Sequence, residues 1–335
     1  MNAPLITCTP NGLYCDAGEF YIDPWRPVPK AVITHGHSDH ARRGHGAYLC
    51  HTLTRPILEQ RLGPHAYQCV EWNEPLHING VEVSLHPAGH VIGSSQIRVR
   101  YKDEIWVVSG DYKTENDGLS GAFEPLRCHT FITESTFGLP VYQWQPQAQL
   151  YNSLQAWIRR NQADGFTSVL LAYSLGKAQR VLDAAAATGA RIFVHGAVAA
   201  TNDTLQAAGI RLPDYRRWTT ETPKEELKGS VVIAPASVLD SPWLRRFQPC
   251  RLGVCSGWMQ VRGHARRQNV DAGFALSDHA DWNGLLQAVK ATGASRVLVT
   301  HGFTAAFSRY LQEQGWDAQT LQTEYGEEHE SEPAA

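Results

Sequence analysis

Residues 30–41 read KAVITHGHSDHA, in which an apolar run ends on a histidine and further metal-ligand side chains follow within the same loop. The three residues before His35 are β-branched and favour a buried strand. Gly36 then permits a tight turn, because it has no side chain. The stretch therefore predicts a strand that runs directly into a loop rich in metal ligands.

The spacing within this loop divides its ligands into two sets. His35 and His37 are two residues apart and can point the same way, whereas Asp39 and His40 lie further along and can face a second ion. Imidazole nitrogen suits zinc, and carboxylate oxygen suits zinc or manganese. The pattern predicts two adjacent divalent metal ions, zinc or alternatively manganese. The simpler alternative is a histidine-rich polar turn without a metal.

Composition sets broad limits on the function. The chain has 335 residues and a net charge of -3, so any contact with nucleic acid must be local rather than a property of the whole surface. Seven cysteines, an odd number without a CxxC pair, fit a reducing cytoplasm. The start of the sequence resembles no signal peptide, and no apolar run reaches the ~18 residues of a membrane span. We expect a cytoplasmic protein that does not bind membranes.

Further candidate ligands follow apolar segments downstream. His90 comes after Ala88 and Gly89, whose small size would let the backbone approach a metal closely, and His86 is the competing candidate. Asp111 follows a strand-like run and could bridge both ions. The sequence thus predicts that these side chains complete the site of the first loop.

Three more polar residues follow predicted strands. Glu134, His279 and His301 each lie at or just beyond an apolar run, and Asp281 is suited to begin a helix. His195 resembles His301 in its local sequence but lies in a different part of the chain. We therefore assign His195 no metal-binding role.

From about residue 145 the pattern changes to alternating helices and strands, which indicates an inserted α/β module. Lys177 follows a glycine at a predicted helix start, where a phosphate can be held. A tryptophan and three arginines near the end of the module could contact a nucleic-acid strand, or form a solvated basic loop. These candidate substrate contacts are Trp258, Arg262, Arg266 and Arg267.

Together, these motifs resemble the β-CASP branch of the metallo-β-lactamase superfamily, and are similar in detail to bacterial ligase-associated DNA exonucleases. The shared stretches, spread over residues 34–302, are THGHSDHA, PAGHVIGS, SGDYK, TESTFG, YSLGKAQR, SGWMQVRG, GFALSDHADW and VTHG. The resemblance implies an α/β fold, an αββα sandwich with an inserted α/β β-CASP domain. The implied segments are 1–144 and 271–323 for the metallo-β-lactamase domain, 145–270 for the insertion, and 324–335 for an acidic, disordered tail.

The resemblance also implies roles for the candidate residues. It implies a general acid at His279, oriented by Glu134, and an Asp23 that supports the metal loop from behind. Asp39 is expected to be both a ligand and a catalytic residue. The implied ligands are His35, His37 and His90 for one metal, Asp39, His40 and His301 for the other, and Asp111 as the bridge.

The implied activity is a two-metal DNA exonuclease that processes DNA ends for repair. Its expected partners are single-stranded or duplex DNA ends, with a DNA ligase and a helicase of the same repair system. An RNA-processing β-CASP ribonuclease is the main alternative, because His301 is the form typical of RNA-processing members. A small-molecule hydrolase would not need Glu134 or His279, and non-catalytic β-CASP subunits usually lose metal ligands that this chain retains.

Overall fold

The computed structural model describes residues 4–239, 241–261 and 270–324. The chain divides into two compact units, and each is described by itself. The first unit contains the chain up to Tyr142 and again from His279, and the second is Gln143–Asp278. The tail beyond residue 324 lies outside the described residues.

The strands follow the chain in this order: β1 Thr7–Thr9, β2 Gly12–Cys15, β3 Phe20–Ile22, β4 Lys30–Val32, β5 Ala47–His51, β6 Tyr67–Val70, β7 Leu76–Ile78, β8 Val81–Pro87, β9 Ser95–Tyr101, β10 Glu104–Val108, β11 Thr130–Ser135, β12 Thr167–Leu171, β13 Ile192–Val194, β14 Arg216–Arg217, β15 Val231–Ala234, β16 Cys250–Cys255, β17 Ala272–Phe274, β18 Arg296–Gly302 and β19 Asp317–Thr320. The α-helices are α1 Arg55–Leu62, α2 Gln147–Ala163, α3 Lys177–Ala186, α4 Gly196–Ala207, α5 Lys224–Leu227, α6 Trp282–Thr292 and α7 Thr304–Glu313. Among the described residues, none of these helices is both long and apolar enough to cross a lipid bilayer.

Two sheets pack face to face in the first unit. One has the order β1-β2-β3-β4-β5-β6 and the other the order β19-β18-β11-β10-β9-β8-β7. Alternate residues of a strand point to the same face, and Trp106 and Val108 of β10 accordingly share one buried cluster with Phe20 and Ile22 of β3. This cluster fills the space between the two sheets.

Helices cover the outer faces of both sheets. On the first sheet, Leu58 and Leu62 of α1 pack in a cluster with Ile33. On the second sheet, Leu285 of α6 and Phe307 of α7 share a cluster with strands β11 and β18. Asp281 caps α6, as predicted, by accepting a hydrogen bond from the Gly284 backbone N–H at 2.7 Å. The first unit therefore has four layers, with helices outside and two sheets inside.

The second unit contains a wholly parallel sheet with the order β14-β13-β15-β12-β16-β17. Leu150, Leu154 and Ile158 form the buried face of α2 and join the core of this unit. The last strand, β17, lies beyond residue 270, where the sequence analysis ended the insertion. Phe274 packs against Trp157 with ring centroids 5.7 Å apart, so this strand completes the core of the second unit.

Candidate metal centre

Parallel pairing gathers the candidate ligands of the first unit at one edge of the second sheet. Strands β10, β11 and β18 are parallel neighbours, so their carboxyl ends meet at the same edge. Asp111 follows β10, Glu134 lies near the end of β11, and His301 lies near the end of β18. The loops after β4 and β8 supply the remaining histidines to the same cluster.

Three imidazoles and one carboxylate form the first group of potential ligands: His35, His37, His90 and Asp111. The Nε2 atoms of His35 and His90 lie 3.1 and 3.0 Å from Nδ1 of His37. Oδ2 of Asp111 lies 3.5 and 3.7 Å from the same two Nε2 atoms. Ligand atoms of a tetrahedral zinc site with Zn–N bonds of ~2.05 Å are about 3.3 Å apart. The spacing and donor types of this group therefore fit a zinc-sized ion.

Asp39, His40 and Asp111 form a second group. Nε2 of His40 lies 3.3 Å from Oδ2 of Asp111 and 3.7 Å from Oδ2 of Asp39. Within the described residues, Nε2 of His40 and Oδ1 of Asp39 are buried without a hydrogen-bond partner. Buried polar atoms normally have such a partner. A cation at this point would satisfy both atoms, so this group also fits a divalent ion.

His301 lies beside the second group rather than among its closest atoms. Its imidazole stacks on that of His40, with ring centroids 5.2 Å apart and an angle of 24° between the planes. His301 has a positive φ of 51°, which is uncommon for a residue other than glycine. The structure thus brings the histidine from the end of β18 next to the ligands of the first loop.

Asp23 fixes the orientation of the second group from behind. Its carboxylate accepts hydrogen bonds from the Thr34 backbone N–H at 2.8 Å and from the Thr34 hydroxyl at 2.5 Å. Oδ2 of Asp23 also lies 2.7 Å from Nδ1 of His40. A carboxylate that takes the proton of one ring nitrogen leaves the other nitrogen available to a metal. Asp23 therefore orients His40 with Nε2 toward the cluster.

Two threonines make a related contact that the sequence analysis missed. The Thr34 hydroxyl lies 3.1 Å from Nδ1 of His35, and the Thr300 hydroxyl lies 2.9 Å from Nδ1 of His301. Each threonine directly precedes its histidine, in two copies of the tripeptide Thr-His-Gly. That repeat was the signal from which the contact could have been expected.

His279, which is partly exposed, pairs with buried Glu134 next to the first group. Nδ1 of His279 lies 2.9 and 3.1 Å from the two carboxylate oxygens of Glu134. Oε1 of Glu134 also accepts the Tyr112 backbone N–H at 2.7 Å, which holds the carboxylate in place. The His279 ring lies 4.5 Å from that of His90, measured between centroids. This pairing directs Nε2 of His279 away from the glutamate.

Burial and neighbouring charges shift the pKa values of the cluster in opposite directions. Burial lowers the pKa of His35 well below its ordinary value, and the His40 and His90 rings add to that shift. Burial also opposes the charged form of His40, but the carboxylates of Asp111 and Asp39 outweigh it and raise the pKa of His40 well above its ordinary value. Burial would raise the pKa of Asp111, yet His40 holds it well below its usual range. The carboxylates therefore favour a positive charge at this point, whether a proton or a metal ion supplies it.

Two other histidines considered in the sequence make contacts outside this cluster. His86, the alternative to His90, places Nε2 2.9 Å from the Ser84 hydroxyl and lies 3.8 Å from Glu124. His195, in the second unit, caps α4 by accepting the Ala197 backbone N–H at 3.1 Å. Neither contact involves the ligands of the two groups.

Two of the predicted substrate contacts in the second unit, Lys177 and Trp258, lie within the described residues. Lys177 is the first residue of α3, but it is 5% exposed and its Nζ lies 3.6 Å from Oδ2 of Asp278. Trp258 is 8% exposed and lies in a short 3₁₀ helix. In this structure both side chains are buried rather than exposed to a nucleic-acid strand. The other predicted contacts lie outside the described residues: Arg262, Arg266 and Arg267.

The fold and site define a class: an α/β protein with a buried histidine–aspartate cluster able to hold metal ions. A scan against models of known protein families finds no match. The chain is similar to a "Probable DNA ligase" of Opitutus terrae, with 31% identity over 92% of this chain and 30% of that protein. It is also similar to the Endoribonuclease YSH1 of Saccharomyces cerevisiae, with 26% identity over 34% of this chain and 15% of that protein. These relatives are named as enzymes, and the chain spans less than a third of their length.

A solved structure shares the fold. A crystal structure of a protein of unknown function from Enterococcus faecalis V583 has a TM-score of 0.61 over 89% of this chain and 80% of that one. The sequence identity is 13%, so the likeness concerns the fold alone. The similarity to named enzymes therefore comes from the sequence relatives.

Proposed function

We propose that the protein is a metal-dependent nuclease of the metallo-β-lactamase fold, with a β-CASP insertion in the second unit, that hydrolyses DNA from its ends. One observation carries the proposal: histidines and carboxylates from well-separated parts of the chain converge on Asp111, which belongs to both ligand groups and also lies close to Glu134 and His279. Such a shared carboxylate is suited to bridge two ions. The four-layer arrangement of the first unit supports the fold assignment.

Most of these residues would hold metal, His279 would move a proton, and Asp39 would do both. The first ion would be held by His35, His37 and His90, and the second by Asp39, His40 and His301, with Asp111 between them. Zinc suits this nitrogen-rich set, and manganese is the alternative. Divalent ions at such a site lower the pKa of a bound water and stabilise charge on a phosphodiester.

His279 supplies the proton that the reaction requires. Hydrolysis forms a bond between phosphorus and a water oxygen and breaks the bond between phosphorus and a sugar oxygen, which must gain a proton. Glu134 holds Nδ1 of His279, so Nε2 points away from the glutamate and would donate a proton to the leaving oxygen. Asp39, whose Oδ1 has no hydrogen-bond partner among the described residues, is suited to accept a proton from the attacking water.

DNA is favoured over RNA because of the extent of the matching sequence. The similarity to the relative named as a DNA ligase covers 92% of this chain, and that to the endoribonuclease covers 34%. An RNA-processing nuclease is the second candidate, supported by the endoribonuclease similarity and by a histidine at position 301.

A DNA ligase is the proposed partner. The relative from Opitutus terrae contains a region similar to nearly all of this chain, in addition to much other sequence. We infer that the nuclease and a DNA ligase act together in the cytoplasm on the same DNA ends, with a helicase as a further component. Stimulation of ligation on damaged ends by the purified protein would support this partnership, and no effect on ligation yield would contradict it.

The test of the activity is cleavage of matched substrates. DNA and RNA of one sequence, labelled at either end, are incubated with the purified protein and zinc or manganese. We expect progressive shortening of DNA, about 10²–10⁴-fold slower for His279→Ala because a proton donor is removed. His195→Ala is the matched control, since that histidine caps a helix in the second unit. Intact DNA alongside degraded RNA would favour the second candidate, and an unchanged rate for His279→Ala would exclude the assigned acid.

A further inference from the structure

Charge is distributed unevenly between the two units. Residues 143–278 contain sixteen lysines and arginines and ten aspartates and glutamates, a net charge of +6, whereas the whole chain has a net charge of -3. The remaining residues therefore carry a net charge of -9. Nucleic-acid backbones bind chiefly through local positive charge. The second unit is thus the part of the chain whose charge favours contact with a nucleic-acid backbone.

A groove of about 370 Å³ lies at the amino-terminal edge of the parallel sheet in the second unit. Thr167, the first residue of β12, and Pro249, just before β16, line it. Three cations also line the groove: Lys224, Lys228 and Arg246. Its volume is in the range of small-ligand sites, about 300–1,000 Å³.

The three cations of this groove are available to a ligand. Lys224, Lys228 and Arg246 are exposed, and among the described residues none has an acidic partner within 4.0 Å. Glu225 is the acidic residue of the lining, and Glu226 next to it pairs instead with Arg216 at 2.8 Å. The groove therefore has three cations against one carboxylate, an excess of positive charge.

Packing orders two of these cations in advance. The Arg246 guanidinium lies 5.8 Å from the centroid of the Trp218 ring, a cation–π arrangement. Lys228 crosses Gly165, where φ is 76° and an added Cβ would come within 2.9 Å of the lysine Cε. Side chains already held in one place lose less entropy when they bind a ligand.

We propose that this groove, with Lys224, Lys228 and Arg246 on its rim, binds the phosphate backbone of a single DNA strand. The inference rests on the proposed nuclease function and assigns that function an anchoring site that shares no residue with the metal centre. Cations on the rim contact successive phosphates, and Leu227 and Phe247 belong to the lining of the groove. Binding here does not depend on base sequence, because only the backbone is contacted.

The test compares two triple variants of the full chain. The groove variant is Lys224→Gln, Lys228→Gln and Arg246→Gln. The control variant removes three exposed arginines of the same unit that do not line the groove, with Arg160→Gln, Arg191→Gln and Arg211→Gln. Binding of a labelled single strand of about 30 nucleotides is measured by fluorescence anisotropy with EDTA, between about 50 and 200 mM salt. Thermal unfolding is recorded for every variant.

We expect the groove variant to bind at least about ten-fold more weakly at low salt than the control variant. The slope of log affinity against log salt concentration should become less steep by about 2, since each of the three lost contacts with a single-strand phosphate contributes about 0.7. Equal losses in the two variants would overturn the proposal, as would competition by inorganic phosphate as strong as that by DNA. If the groove variant unfolds early, Lys224→Gln alone should reduce the slope by about 0.7, and no reduction would overturn the proposal.

A small phosphodiester separates the anchoring site from the catalytic function. Bis(p-nitrophenyl) phosphate has no polymer backbone, so its hydrolysis with zinc or manganese should be equal in the groove variant and the unmodified protein. A selective loss of this hydrolysis in the groove variant would contradict an anchoring role. A third outcome is that the unmodified protein hydrolyses no diester, while the groove variant binds DNA more weakly than the unmodified protein. In that case the proposed nuclease function fails and the anchoring site remains.

Discussion

The two ligand groups of the first unit share Asp111 but differ in their donors. The first group has three imidazole nitrogens, and those of His35 and His90 lie 3.1 and 3.0 Å from that of His37. In the second, one imidazole of raised pKa lies 3.3 and 3.7 Å from two carboxylates. Nitrogen donors favour zinc, whereas carboxylate oxygens also accept manganese. From the proposed function we therefore expect the first group to select zinc and the second to bind either zinc or manganese.

Loss of the shared carboxylate should have the largest effect. Asp111→Asn removes the negative charge and one carboxylate oxygen that both groups share, so we expect both metals to bind weakly and hydrolysis to fall by about 10³-fold or more, since metal ions lower the barrier by several kcal/mol. Metal content by mass spectrometry and the rate on labelled DNA measure the two effects. Asp117→Asn is a control at another aspartate, whose carboxylate accepts hydrogen bonds from the backbone N–H and the hydroxyl of Ser120. A variant that keeps two ions would show that Asp111 is not the bridge.

A pair of substitutions should separate the two groups. His90→Ala removes a nitrogen from the first group alone, and Asp39→Asn removes a carboxylate from the second alone. We expect each purified variant to retain about one of two ions. His90→Ala should lose the zinc of the first group, and Asp39→Asn should lose the second ion, which can exchange for manganese. Equal loss of both ions in both variants would show that the groups are not independent.

Removal of the supporting carboxylate should have a smaller effect. Asp23→Asn weakens the hold on Nδ1 of His40, so the second metal should bind about 10–100-fold more weakly while the first is retained. Titration of the metal-free protein with manganese measures the change. Asp16→Asn, in an exposed turn of the same unit, is the control. Unchanged manganese affinity would mean that His40 keeps its orientation without Asp23.

The smallest effect is expected at Thr300. Thr300→Val removes the hydroxyl that lies 2.9 Å from Nδ1 of His301, a contact worth about 0.5–1.5 kcal/mol, or about 2–10-fold in affinity for the second metal. Thr300→Ser keeps the hydroxyl and should bind like the unmodified protein. Equal weakening in the two variants would point to packing rather than hydrogen bonding.

The sequence indicated the parts whose determinants are close together in the chain. The HxHxDH loop could be recognised because four potential ligands lie within six residues after a β-branched run. The buried face of α2 and the Asp281 cap were also readable, because both depend on spacings of three or four residues. Local geometry is set by local sequence, so these features required no knowledge of the fold.

Only the tertiary structure decided the contacts between residues far apart in the chain. It brought Nδ1 of His279 to within 2.9 Å of a Glu134 oxygen across 145 positions, and it stacked the His301 ring on that of His40. It also buried Lys177 against Asp278, whereas the glycine–lysine turn had predicted a phosphate contact for this lysine. Sequence gives the order of side chains along the chain, but strand pairing and layer packing determine which of them meet, because those depend on contacts throughout each unit.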